Sequence, residues 1–213
     1  LNNNDDKEVA SLYKKSSINL LLIGGLFFLL VNCGVHELFK LLPKGYAGGE
    51  LVVLLISFYK LYNMFLGNNG DIINNSKFYR IALPFSVGMA LLVYFLNRLF
   101  YYNLEFGTEG LALSTFLAVL LFNTLKLWFV KSKFNMTPFT NKTFKMLLVI
   151  IILFVTFYFW NFSIPAIKIL NINISPLINI LLKSILIVVV YIYSVIKLNI
   201  SPEISNLINR FKK

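Results

Sequence analysis

Histidine and cysteine are almost absent from this 213-residue chain, with His36 and Cys33 as single examples. One cysteine excludes a disulfide framework, and one His with one Cys is too few for a zinc site. Acidic residues are scarce as well, nine against twenty lysines and arginines. A membrane glycosyltransferase or polysaccharide ligase would need conspicuous loops carrying carboxylates, histidines or arginines. The loops here are short, and only Glu105 and Glu109 cluster. No catalytic residue, metal ligand or cofactor site is expected, and the chain reads as a non-enzyme. Missing too are an initial Met, a basic n-region and a signal-peptide core: Leu1 opens a polar Asn/Asp stretch.

What the chain has in abundance is apolar sequence. Hydrophobic residues make up 58% and charged residues only 14%, with a mean hydropathy of +0.74, a balance outside the soluble globular range. Six runs approach the length a bilayer requires: 18–35, 46–66, 81–102, 111–130, 146–162 and 177–196. They are too long for barrel strands, so the expected fold is an all-α polytopic bundle. Residues 1–17 form an amphipathic lead-in ended by Lys14 and Lys15, and 199–213 an amphipathic tail with Ile204, Leu207, Ile208 and Phe211 on one face. An NISP tetrapeptide recurs at Asn173–Pro176 and Asn199–Pro202, and Ser175 with Pro176 predicts an N-cap and first helical position. Gly24 and Gly25 suit close helix contact.

The formal charge of +11 suggests nucleic acid in a soluble protein, but here the cations follow topology. The lead-in, 67–80, 131–145 and the tail with Lys197 just before it hold thirteen Lys and Arg; the alternate connections hold three, Lys40, Lys44 and Lys168. That bias places both termini in the cytoplasm. Four cations remain inside the runs: Lys60, Arg98, Lys126 and Lys183.

The stretch Lys60–Arg80 carries the most pattern. An apolar helix gives way to a glycine-broken turn at Gly67 and Gly70, then re-enters through Lys77 and Arg80. Gly67, Asn69, Gly70, Ile72, Ile73, Ser76, Lys77, Tyr79 and Arg80 form a G-x-N-G-x-I-I-x-x-S-K-x-Y-R pattern. It resembles the C-terminal half of bacterial polysaccharide-repeat flippases, Wzx-like oligosaccharide exporters of the MATE/MurJ-like superfamily. Leu38–Val53, Phe106–Thr115 and Lys133–Thr143 resemble the same family in the same order, over about Leu12 to Leu147. Within Phe106–Thr115, Leu111 departs from the small residue more usual there.

The resemblance implies six helices forming most of the second lobe of such a transporter. It implies translocation of undecaprenyl-diphosphate-linked oligosaccharide units across the bacterial cytoplasmic membrane for O-antigen, capsule or exopolysaccharide synthesis. The expected partners are membrane lipid, the lipid-linked oligosaccharide, a missing N-terminal half of the same transporter, and a polysaccharide polymerase and ligase, with no nucleic acid. With the match beginning in mid-protein, the chain reads as a fragment or truncated gene product. A coupling ion, H+ or Na+, is compatible with the class but not identified by any residue. Alternatives are a MATE-like multidrug antiporter, disfavoured by cations where carboxylates are needed, and a non-transporting remnant or scaffold.

Among the buried cations, Arg98, Lys126 and Lys183 lie near run ends and are expected to snorkel. Lys60, seven residues before Gly67 and so about 10 Å along a helix, is the deepest. Lys60 and Asn63, one turn apart, are the candidate substrate-binding pair, and Lys77 with Arg80 a candidate cytoplasmic gate or simple positive-inside anchors. Asn97 and Asn123 are expected to bond between helices. Gly107, Gly110, Ala112 and Ser114 are expected to allow close packing. No Asp or Glu is expected deep in a span, and Cys33 and His36 are read as incidental.

Overall fold

The computed structural model describes residues 6–43, 46, 48–169 and 172–200. It is helical apart from one two-residue β-ladder: α1 (Asp6–Leu41), α2 (Glu50–Phe65), α3 (Asn69–Asn74), a 3-10 turn (Tyr79–Ile81), α4 (Ala82–Asn97), a π-helical turn (Arg98–Asn103), α5 (Gly107–Phe134), α6 (Asn141–Phe159), the hairpin β1 (Lys168–Ile169) and β2 (Ile172–Asn173), and α7 (Ser175–Lys197). Contacts divide the chain into two units, Leu1–Leu21 with Leu55–Thr140, and Leu22–Leu54 with Asn141–Lys213.

In the first unit α4 and α3 pack on α5. A core of Tyr13, Ile72, Ile73, Phe129, Val130 and Met136 is closed by Phe78, whose ring meets Phe129 and Phe134 edge-on at 5.6 and 5.8 Å. Gly67 takes φ +59, and a Cβ there would sit 3.0 Å from the Ser17 backbone. That close approach lets Ser17 Oγ donate to the Phe65 carbonyl at 2.5 Å and Ser16 Oγ to Asn68 Oδ1 at 2.9 Å. α4 buries no residue, and Leu83, Val87 and Leu91, at i, i+4 and i+8, are all exposed.

The second unit joins α1 from Leu22 onward to α6 and α7. A Cβ on Gly25 would overlap the Ile150 side chain and lie 2.8 Å from Tyr191 Oη, which itself donates to the Leu22 carbonyl at 2.5 Å. Phe28 stacks at a tilt on Phe154, centroids 5.3 Å apart. The buried face of α7 advances in near-regular steps of four through Asn179, Lys183, Ile187, Tyr191 and Val195, the helical repeat.

Several expectations are revised. The lead-in and first run are one 36-residue helix. Nothing between Asp6 and Ser17 breaks a helix, and Asp6, Glu8 and Lys40 complement its dipole at the two ends. Tyr13 of the lead-in is packed in the protein core. The second run forms a 16-residue helix, about 24 Å long. The stretch after Gly67 is mostly helical, with Asn69–Gly70 inside α3 instead of in a turn. At α7 the cap is displaced: Ile174 stands at the N-cap, while Asn173 Oδ1 accepts from the Ser175 amide and hydroxyl at 3.1 and 2.7 Å, an Asx turn. Gly110, Ala112 and Ser114 are buried as expected, but Gly107 has open space around it and φ +59, so it serves chain direction. Leu1–Asp5, Lys44 and the tail from 201 lie outside the described residues.

Candidate functional site

The four sequence candidates separate. Lys60 is exposed on α2, its Nζ 5.5 Å from the Tyr59 ring centroid. Asn63, also exposed, accepts from Asn123 Nδ2 at 3.2 Å. At the next residue of α5, Thr124 Oγ1 meets Tyr62 Oη at 2.8 Å. Asn123 thus has the interhelical role expected of it, and Asn63 is occupied by the same bond. Lys77 lies 5.3 Å from the Phe78 ring centroid, and Arg80 Nε donates to Tyr79 Oη at 3.4 Å; both are exposed. None of the four lines the three cavities described below.

Lys183 is different. It is 2% exposed, on the inward stripe of α7, and its Nζ donates to Asn161 Oδ1 at 2.9 Å. Cys33, Glu37 and Lys40 lie within electrostatic reach. Glu37 is itself 4% exposed and accepts from Lys40 Nζ at 2.7 Å. One turn before Lys183, both ends of the Asn179 amide bond the Phe162 backbone at 3.3 Å, fixing the segment that carries Asn161. A cavity of about 250 Å³ opens here, with Glu37, Lys40, Asn161, Asn173, Ser175 and Asn179 among its walls. Its walls hold one ammonium and one carboxylate, Lys40 and Glu37, paired with each other; Lys183 stands behind the wall, bonded to Asn161.

Glu37 was hidden by an assigned run boundary, and Lys183 by a measure of depth along the chain. A first span ending at Val35 leaves Glu37 in a loop, whereas α1 continues to Leu41 and buries it near the helix end. Lys183 was placed by its distance from a run end, which says nothing of the face it occupies. The available signal was lateral: Asn179, Lys183 and Tyr191 fall on one stripe with Ile187 and Val195. His36 is also less isolated than expected, its Nδ1 3.0 Å from Glu50 Oε1.

In the first unit a larger cavity, about 760 Å³, lies at the π-helical turn among Tyr94, Asn97, Arg98, Tyr101, Tyr102 and Asn103, with Leu111 at its wall. A third, of about 220 Å³, is bordered by Tyr13, Asn68, Asp71 and Asn75. Among the described residues no group of three or more His, Cys, Asp or Glu could hold a metal ion.

Five stretches, α1, Tyr79–Asn103, α5, α6 and α7, are long and apolar enough to cross a membrane. The hydroxyls of Ser86, Thr115 and Thr156 bond back to the carbonyl four residues earlier, satisfying themselves within the helix as a lipid-facing surface requires. These features define an all-α, multi-pass membrane protein. Compared with known proteins, the chain matches no family model, no curated protein and no solved structure.

Proposed function

We propose that the chain serves the translocation of a lipid-linked oligosaccharide diphosphate across a bacterial cytoplasmic membrane, with both termini cytoplasmic and with α2 as a sixth span in a MATE/MurJ-like lobe. The ordered motifs of the sequence support the class of cargo. The observation that carries a transport role is Lys183: an ammonium group 2% exposed inside an apolar helix. Such a group is costly, and within a membrane it marks a substrate or ion path by default. An anionic head group passing through hydrocarbon needs fixed positive charge near its path; with Lys40 balanced by Glu37, Lys183 is the cation of this group whose bonded partner, Asn161, is neutral. A drug-cation antiporter would want an uncompensated carboxylate. Among the described residues the one buried carboxylate, Glu37, is already bonded to Lys40.

The test is Lys183→Met in the encoding gene, scored by surface polysaccharide and by the amount of protein in the membrane. Replacing a buried charge by an apolar chain of similar length is often neutral or stabilising, and Glu37 keeps Lys40 as its partner. Export should fall about tenfold or more while the protein level holds, as for removal of an intramembrane charge that contacts cargo. Normal export would refute the proposal. Lys60→Ala, run in parallel, decides whether α2 contributes a second cation.

A further inference from the structure

We infer that the cavity at the π-helical turn binds an acidic oligosaccharide, a polyhydroxylated ligand carrying a carboxylate. The turn makes the site. Hydrogen bonding shifts to five residues, with the Leu104 amide on the Leu99 carbonyl at 3.0 Å, a rare geometry that concentrates at functional sites. In an α-helix Arg98 and Asn103 would project about 140° apart; here both line one cavity with Tyr94, Asn97, Tyr101 and Tyr102. Gly110 holds the turn from behind, since a Cβ there would lie 3.0 Å from the Phe100 carbonyl carbon and oxygen.

The lining selects the ligand. A volume of about 760 Å³ falls among small-molecule sites and is far larger than an ion needs. Three tyrosines offer flat π-faces to the C–H face of a sugar ring and hydroxyls to its rim; Tyr101 and Tyr102 stand nearly perpendicular, centroids 5.0 Å apart, so they present two walls. Asn97 also lines the cavity; its Oδ1 is buried without a hydrogen-bond partner. Among the described residues Arg98 is the one charged group in the lining. Its fork of donors matches a carboxylate in a bidentate pair. An aromatic belt at a membrane interface explains exposed tyrosines, but it requires no π-turn that brings Arg98 and Asn103 to one cavity. As the place where a transported glycan is read, the site rests on the translocation reading; as a binding site it stands on the cavity alone.

The experiment is calorimetric titration of the full chain in phosphatidylcholine nanodiscs with tetragalacturonate, against maltotetraose as the neutral control and inorganic phosphate as the simple anion. Tetragalacturonate should bind about tenfold or more tighter than maltotetraose, and Arg98→Gln should remove that preference while leaving the weaker neutral binding, the signature of a lost bidentate pair. If Arg98→Gln does not fold, Arg98→Lys keeps the charge and loses the fork, and should give an intermediate affinity. Equal binding of the two sugars, binding indifferent to Arg98, or complete displacement by equimolar phosphate would overturn the inference. So would loss of binding in phosphatidylglycerol nanodiscs, which would assign the cavity to a lipid head group. Failure here, with export still abolished by Lys183→Met, would remove this site and leave translocation standing. Glycan binding alongside normal export in Lys183→Met would do the reverse.

Discussion

Two glycines of α1 show how differently one residue type can be constrained. At Gly25 an added Cβ would overlap Ile150 and approach Tyr191 Oη to 2.8 Å, and that hydroxyl is held in place by its bond to the Leu22 carbonyl. At Gly34 the nearest atoms are those of Ile180 at 3.7 Å, an ordinary contact. Gly25→Val should therefore overpack the α1–α6–α7 junction and lower the melting temperature in detergent by about 5 °C or more, given the usual cost of overpacking in a chain of this size. Gly34→Ala should leave it nearly unchanged. Equal melting of the two variants would show that α1 does not approach α6 and α7 as closely as this. The Gly24–Gly25 pair was legible in the sequence as a contact point. Which glycine makes the contact was not, because the facing side chains come from α6 and α7, more than a hundred residues away.

At the scale of elements, α2 is the instructive case. It buries no residue, and it meets α5 through one edge-on aromatic pair, Phe58 with Phe116 at 5.7 Å, and two polar pairs, Asn63 with Asn123 and Tyr62 with Thr124. Without a hydrophobic drive between helices in lipid, such bonds matter, at about 0.6 kcal/mol on average and up to about 1.7. A double-mutant cycle with Asn63→Leu and Asn123→Leu, read as unfolding free energy in mixed micelles, should give a coupling near the average; additive effects would mean the amides do not meet. Here the sequence was informative about Asn123 and less so about Asn63. A polar residue one turn from Lys60 suggested a shared cavity face, but side-chain partners on another helix decide the matter, and periodicity within α2 carries no record of α5. The same limit hid Lys183, whose depth was measured along the chain when the decisive coordinate was around the helix. By contrast the positions of α4, α5, α6 and α7 followed closely from the apolar runs, since burial in lipid constrains length more tightly than any other property. The loop beginning at Gly67 was placed correctly as an interruption but not as α3, because the Asn-Gly turn preference yields to the burial of Ile72 and Ile73 against Tyr13 and Phe129.

For the whole molecule the number of crossings decides the sidedness of everything else. Five stretches are long enough to span, whereas α2, with 16 residues, reaches about 24 Å against a hydrocarbon core of about 30 Å. A short helix can still cross where the bilayer thins or flanking residues snorkel, and charge argues that it does. With six crossings Lys7, Lys14 and Lys15 share a side with Lys77, Arg80 and the four lysines of 131–145; with five they face the opposite compartment. Parity is measurable. On a Cys33→Ala background, Lys7→Cys and Lys197→Cys should both resist an impermeant maleimide in intact cells and react in inverted vesicles, whereas Lys168→Cys should react from outside. Labelling of Lys7→Cys alone from outside would mean five crossings, with α2 lying along the membrane, and would place Lys60 at an interface where a lysine needs no cargo to explain it. Labelling of neither terminus from outside keeps α2 as a span, and its exposed Lys60 then either faces a water-filled path or meets a partner surface, since lipid alone would not retain it.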